Sequence, residues 1–206
     1  PPPIYPLSLH DALPISPQTV TYTVTPTSTV CSCSGTPQII TVTVNPSPTM
    51  TSSNTATICS GDALNIALTS DVASSYNWGA VSNPNVTGES TSTQTTSTIN
   101  NTLTNNTSSV QTVTYNVIAI STVGSCSSSP QTVTITVNPS PTMTSTTSNT
   151  ICTGETLNIG LTSNLASSYS WVATSNPNVT GESTSAQSSS TINNTLLNST
   201  SSAQTV

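Results

Sequence analysis

From Gln131 to Val137 apolar and polar residues alternate without a break: Val133, Ile135 and Val137 fall on one side, and Thr132, Thr134 and Thr136 on the other. A repeat of two puts successive side chains on opposite faces, which is the mark of a half-buried strand with one wet face. Val110 to Ile120 reads the same way, with Val113, Tyr115, Val117 and Ala119 together. Ala63 to Thr69 places Leu64, Ile66 and Leu68 on one face, and Ser75 to Trp78 brings Tyr76 and Trp78 together. Thr98 to Leu103 is a weaker strand. Turn-forming clusters separate these runs at Ser60-Gly61-Asp62, Ser82-Asn83-Pro84-Asn85 and Thr87-Gly88-Glu89. No stretch has a helical period. Short alternating strands at regular spacing predict an all-β sandwich.

The pattern repeats along the chain. Cys59 returns as Cys152, Trp78 as Trp171, and Pro46-Ser47-Pro48-Thr49-Met50 as Pro139-Ser140-Pro141-Thr142-Met143, each 93 positions later. Residues 46–113 and 139–206 align without a gap and agree at 49 of 68 positions. Gln18 to Tyr22 likewise matches Gln111 to Tyr115. Near-identical tandem copies predict an array of one domain type. The expected division is the last third of a copy at 17–45, a complete copy at 46–138, and the first two-thirds of another at 139–206. A unit of this size suits a small sandwich, for which about 100 residues is typical. The chain reads as a fragment of a longer protein.

Residues 7–15, Leu-Ser-Leu-His-Asp-Ala-Leu-Pro-Ile, resemble the translation of a common short-read sequencing adapter. The repeat pattern begins directly afterwards. Residues 1–16 are therefore expected to be a non-native, disordered lead-in and are set aside from fold reasoning. That removes His10, the single histidine, together with Asp11.

Charge narrows the function. The chain has no Lys or Arg and six acids, for a formal charge of −6. Gripping nucleic-acid phosphates depends on cationic side chains that release counterions, so no nucleic-acid partner is expected. An anionic membrane surface is excluded on the same ground. No apolar run approaches the eighteen or so residues of a membrane span, so no membrane insertion is expected. Ser, Thr and Asn carry solubility in place of charge, and the abundance of Val, Ile and Thr argues for strands over disorder.

Candidate chemistry is sparse. A Ser-His-Asp or Cys-His centre needs a base, and neither lysine nor a native histidine is present. The recurrent acids are Asp62, which becomes Glu155, and Glu89, which returns as Glu182. Asp71 becomes Asn164, a change that a catalytic carboxylate would not survive. Asp62 follows Gly61, where an acid commonly bonds its own turn. No metal or cofactor set is expected, and no catalytic residue. Asn-x-Ser/Thr sequons at Asn85, Asn100, Asn105 and Asn178 fit chance in a chain so rich in Ser and Thr. The single Trp of each copy, Trp78 and Trp171, is expected to plug a core along with Tyr115; the alternative is an exposed platform for stacking sugars.

The complete copy holds Cys59 and Cys126, with counterparts at Cys152 and Cys33. Two thiols at fixed places in a small, charge-poor sandwich predict one disulfide per domain, Cys59–Cys126. It would stabilise the fold by roughly 3–5 kcal/mol on the chain-entropy model and would imply an oxidising compartment. The pairing of Cys31, Cys33 and Cys152 stays open.

These residues resemble a PKD-like domain of bacterial surface proteins, within the broader immunoglobulin-like group. The resemblance rests on Ile58-Cys59-Ser60-Gly61-Asp62, Ser74-Ser75-Tyr76-Asn77-Trp78, the Cys126 loop, and Val133 to Pro139, and it covers the chain after residue 16. The Trp-Asp-Phe-Gly-Asp-Gly motif of better-known PKD domains is absent, since Gly79-Ala80 follow Trp78 and Val172-Ala173 follow Trp171. The resemblance implies tandem immunoglobulin-like sandwiches in a secreted or surface-anchored protein, acting as a non-catalytic spacer whose partners are neighbouring repeats. Two rival readings are a module binding extracellular glycan or protein through strand faces or the loops around 82–90, and an accessory domain of a secreted hydrolase.

Overall fold

The computed structural model describes residues 16–206. The expected lead-in 1–16, with His10, therefore lies outside the described residues except for Ser16. The chain forms two compact units, one built from residues up to Asn106 and from Val110–Asn138, the other chiefly from Pro139–Val206. Every regular element among the described residues is a strand.

In the first unit, β1 (Gln18–Val24) and β2 (Gln38–Val44) form an antiparallel hairpin. A sandwich follows. One layer is a four-stranded sheet of β3 (Thr55–Cys59), β10 (Gln131–Asn138), β9 (Gln111–Ser121) and β5 (Ser74–Val81), in that order. β10 runs parallel to β3 and antiparallel to β9, and β9 runs antiparallel to β5. The opposite layer consists of short ladders, β4 (Ile66–Ala67) with β7 (Thr98–Ile99) and β6 (Val86–Thr87) with β8 (Thr104–Asn105). Single bridges such as Ala63↔Thr102 and Trp78↔Gln94 extend them.

The alternation read from sequence becomes burial. Val113, Tyr115, Val117 and Ala119 of β9 and Val133, Ile135 and Val137 of β10 are all fully buried. Leu64, Leu68, Val86, Ile99 and Leu103 meet them from the other layer, and Tyr76 and Trp78 close the core. Burying each such side chain contributes about 1.5–3 kcal/mol. The run expected as one strand over Ala63–Thr69 is strand only at Ile66–Ala67, and β3 went unrecognised because its Thr55, Thr57 and Ile58 stand among turn-forming residues.

The expected Cys59–Cys126 disulfide is not formed, and all five cysteines are free thiols. Strand topology gives the reason. Cys59 lies beside Asn138 at the last residue of β10, whereas Cys126 lies in the loop that precedes Gln131, its first residue. The length of β10 separates them, about 23 Å at ~3.3 Å per residue, and a disulfide needs Cα atoms within about 7 Å.

The second unit repeats only part of this design. β11 (Ile159–Gly160) pairs with β13 (Thr191–Ile192), and β12 (Val179–Thr180) with β14 (Leu197–Asn198), mirroring the short ladders of the complete copy. No strand forms at 148–152 or 167–174, the counterparts of β3 and β5. Within the four-stranded sheet those strands pair with β10 and β9, and residues 139–206 contain no counterpart of β10 and, in Gln204–Val206, only the first three residues of a β9. The expected core position of Trp171 is corrected accordingly: Trp171 is half-buried, because the strands that cover Trp78 are missing from this unit.

Candidate functional site

Residues 82–90, on either side of β6, are the region the binding-module reading singles out; Ser82, Pro84, Asn85 and Thr87 are exposed there, while Asn83 and Glu89 are half-buried and bonded within the fold. Both carboxylate oxygens of Glu89 accept the Asn83 backbone N–H, at 3.2 and 3.1 Å. The Asn83 amide donates to the Thr112 carbonyl of β9 at 3.0 Å, and its side-chain oxygen accepts the Asn85 N–H at 3.0 Å. Gly88 adopts φ +94° with the Thr102 carbonyl against its Cα, where a β-carbon would collide. The second unit builds the same clamp, with Glu182 accepting the Asn176 N–H at 3.0 and 3.3 Å. Glu89 is thus a structural carboxylate. Sequence reading took Asn83 only as a turn residue and missed its bond to Glu89; the sole trace of the clamp there is that Ser82 to Glu89 recurs unchanged as Ser175 to Glu182.

The other recurrent acids are consumed locally too. Asp62 accepts the Cys59 N–H at 3.1 Å, closing a turn, and Glu155 accepts the Cys152 N–H at 2.8 Å. Asp71 accepts the Thr49 N–H at 2.7 Å, and its counterpart Asn164 accepts the Thr142 N–H at the same 2.7 Å. The position needs an acceptor oxygen and no charge, which is why Asp and Asn interchange there. No cluster of three or more His, Cys, Asp or Glu able to hold a metal exists among the described residues.

The aromatics of the complete copy, Tyr76, Trp78 and Tyr115, face the interior. Trp78 is 3% exposed and its indole N–H donates to the Thr96 carbonyl at 2.9 Å. Its ring meets Tyr115 edge to face, with centroids 5.8 Å apart at 67°. The Tyr115 hydroxyl donates to Asn101 Oδ1 at 2.9 Å, and the Asn101 amide donates to Ser90 Oγ at 2.8 Å. Burial, reinforced by the nearby negative charge of Glu89, raises the Tyr115 hydroxyl well above the ordinary phenol value. Trp78 offers no platform for stacking a sugar. In the first hairpin, hydrogen bonding from Cys33 and Ser28 lowers the Cys31 thiol below the usual cysteine value, and bonding to Cys31 raises Cys33.

No helix among the described residues is long and apolar enough to cross a membrane. No curated protein matches the chain significantly. The family model for the PKD-like domain matches residues 14–48, 56–141 and 149–206. Members of that family are immunoglobulin-like modules, generally non-catalytic, that typically occur in extracellular or surface proteins. With most of its length matched, and with a strand-built sandwich in its complete copy, the chain belongs to the PKD-like domain family.

Proposed function

We propose that this chain is a length of load-bearing spacer from a secreted or cell-surface bacterial protein, projecting adhesive or enzymatic domains carried elsewhere in the parent chain. One observation carries the reading. The first strand of the complete copy's main sheet, β3, and its last, β10, lie side by side and parallel over Thr55–Cys59 and Thr134–Asn138. Force on the two ends of the copy pulls these strands in opposite directions along their length. Their hydrogen bonds are then loaded together in shear, so the ladder yields as a unit and not bond by bond. Pro46, Pro48, Pro139 and Pro141 at the ends of the copy restrict φ and stiffen the connections. The local use of every recurrent acid and the burial of Trp78 support a structural role over a catalytic or sugar-stacking one.

Single-molecule pulling on the 206-residue chain tests this. A spacer gives one sharp force peak followed by release of roughly 300 Å of chain, the extended length of a 93-residue copy at ~3.3–3.6 Å per residue. Extension without a resolved peak would refute the load-bearing role.

A further inference from the structure

Failure of the expected intradomain disulfide leaves one thiol at each end of the complete sandwich, and the repeat brings two such ends together. Asn45 ends β2's copy and Asn138 ends the complete copy; they are the same position, 93 residues apart. Two independent contacts surround this asparagine. On its own copy's side, Cys59 is the lateral neighbour of Asn138 in the parallel ladder, and the Ser60 N–H donates to the Asn138 carbonyl at 2.8 Å. On the following copy's side, Cys126 Sγ lies 3.8 Å from the Asn45 carbonyl oxygen. Gly124, at φ +74°, allows that approach: a β-carbon there would run into the Asn45 side chain.

We propose that consecutive complete copies are stapled by an interdomain disulfide joining Cys126 of one copy to the thiol that stands at Cys59's position in the copy before it. Superposing the two contacts on one asparagine sets the earlier copy's cysteine one strand spacing away, about 4.8 Å. The later copy's sulfur lies within hydrogen-bonding reach of the same residue. Both cysteines are thus immediate neighbours of one residue, and the bond closes once their Cα atoms stand the usual ~4.4–6.8 Å apart. Cys59 is exposed and Cys126 half-buried, so one sulfur is reachable by an oxidant and the other is held in place. The step is thiol–disulfide exchange. The two thiols give up two protons and two electrons and form one S–S bond, while a disulfide oxidant is cleaved to two thiols. The staple requires consecutive copies and nothing further of the spacer reading, which pulling tests separately.

The test completes the first copy. Residues 46–109 are duplicated ahead of Pro17 in place of 1–16, the protein is oxidised with oxidised glutathione, and free thiols are blocked with iodoacetamide. Because the chain has no tryptic site, it is cut with thermolysin and its peptides are mapped unreduced. The expected result is a cross-linked peptide joining the duplicated Cys59 to Cys126, with loss of alkylation at both. C126S then frees the duplicated Cys59 for alkylation. Linkage of the duplicated Cys59 to Cys33, its partner within one sandwich, would overturn the proposal, as would full alkylation of both thiols. Should the extended chain fail to fold, N45C in the 206-residue chain puts a thiol on the shared asparagine. Cross-linking to Cys126 is expected, and two free thiols there would show the joint to be built otherwise.

Discussion

Replacing Trp78 with alanine is the sharpest probe of the sandwich, because the repeat supplies its own control. Trp78 is 3% exposed, makes an indole hydrogen bond to Thr96 and packs edge-on against Tyr115. Truncating a buried aromatic costs about 3–5 kcal/mol. Within that sum, the hydrogen bond accounts for about 1 kcal/mol and the aromatic contact for about 0.5–1.5 kcal/mol. A copy of this length has roughly 5–14 kcal/mol in total, at ~0.05–0.15 kcal/mol per residue, so W78A removes a large share. Trp171 keeps its indole bond, to the Ser189 carbonyl at 3.0 Å, but is only half-buried and lacks the covering strands. Urea titration followed by far-ultraviolet circular dichroism reads the difference. With a slope of about 1.5 kcal/mol per molar, W78A lowers the midpoint of the main transition by roughly 2–3 M, while W171A leaves it near its original value. A W78A loss no larger than that of W171A would show that Trp78 does not anchor the core.

Substitutions at three further positions test the local assignments. Y115F removes the hydroxyl bonded to Asn101 and lowers stability at neutral pH by about 1 kcal/mol. Because the folded-state pKa of Tyr115 is raised, its protonated form favours the fold below the unfolded value of about 10, and stability falls as pH rises past it. Y115F should flatten that alkaline loss in thermal melts taken across the range, and an unchanged profile would exclude Tyr115 as its source. D71N should leave the urea midpoint almost unchanged and D71A should lower it by about 1 kcal/mol; equal losses would mean the charge matters. G88A meets both a positive φ and the Thr102 carbonyl, so a loss of about 1–3 kcal/mol is expected, and wild-type stability would contradict the loop geometry.

Much of this fold was legible because alternation is a local property. Val133, Ile135 and Val137 announce their buried face whatever lies opposite. The limits of that reading show in the first hairpin. Val20, Tyr22 and Val24 stand in the same register against β2 as Val113, Tyr115 and Val117 against β10. Yet they are 43%, 54% and 48% exposed, where their counterparts are fully buried. Ser167 to Trp171 shows the same limit for strand formation, since it nearly repeats Ser74 to Trp78 and forms no strand without a β9 to pair with. The candidate acids were legible as turn residues at Asp62 and as a tolerant position at Asp71. The Glu89–Asn83 clamp was not, because its partners are fixed by the path of the loop.

The sequence by itself determined the repeat, the all-β character, the inward faces of the long strands and the lack of any Lys or Arg side chain. Each follows from residue type and short-range spacing. Only the tertiary structure decided which strands are neighbours. Many pairings satisfy the same alternation, and the choice among them rests on contacts between residues far apart in the chain. That choice set β3 parallel to β10, where pulling loads it in shear, and it placed Cys59 and Cys126 at opposite ends of one sandwich, each beside the asparagine where two copies join.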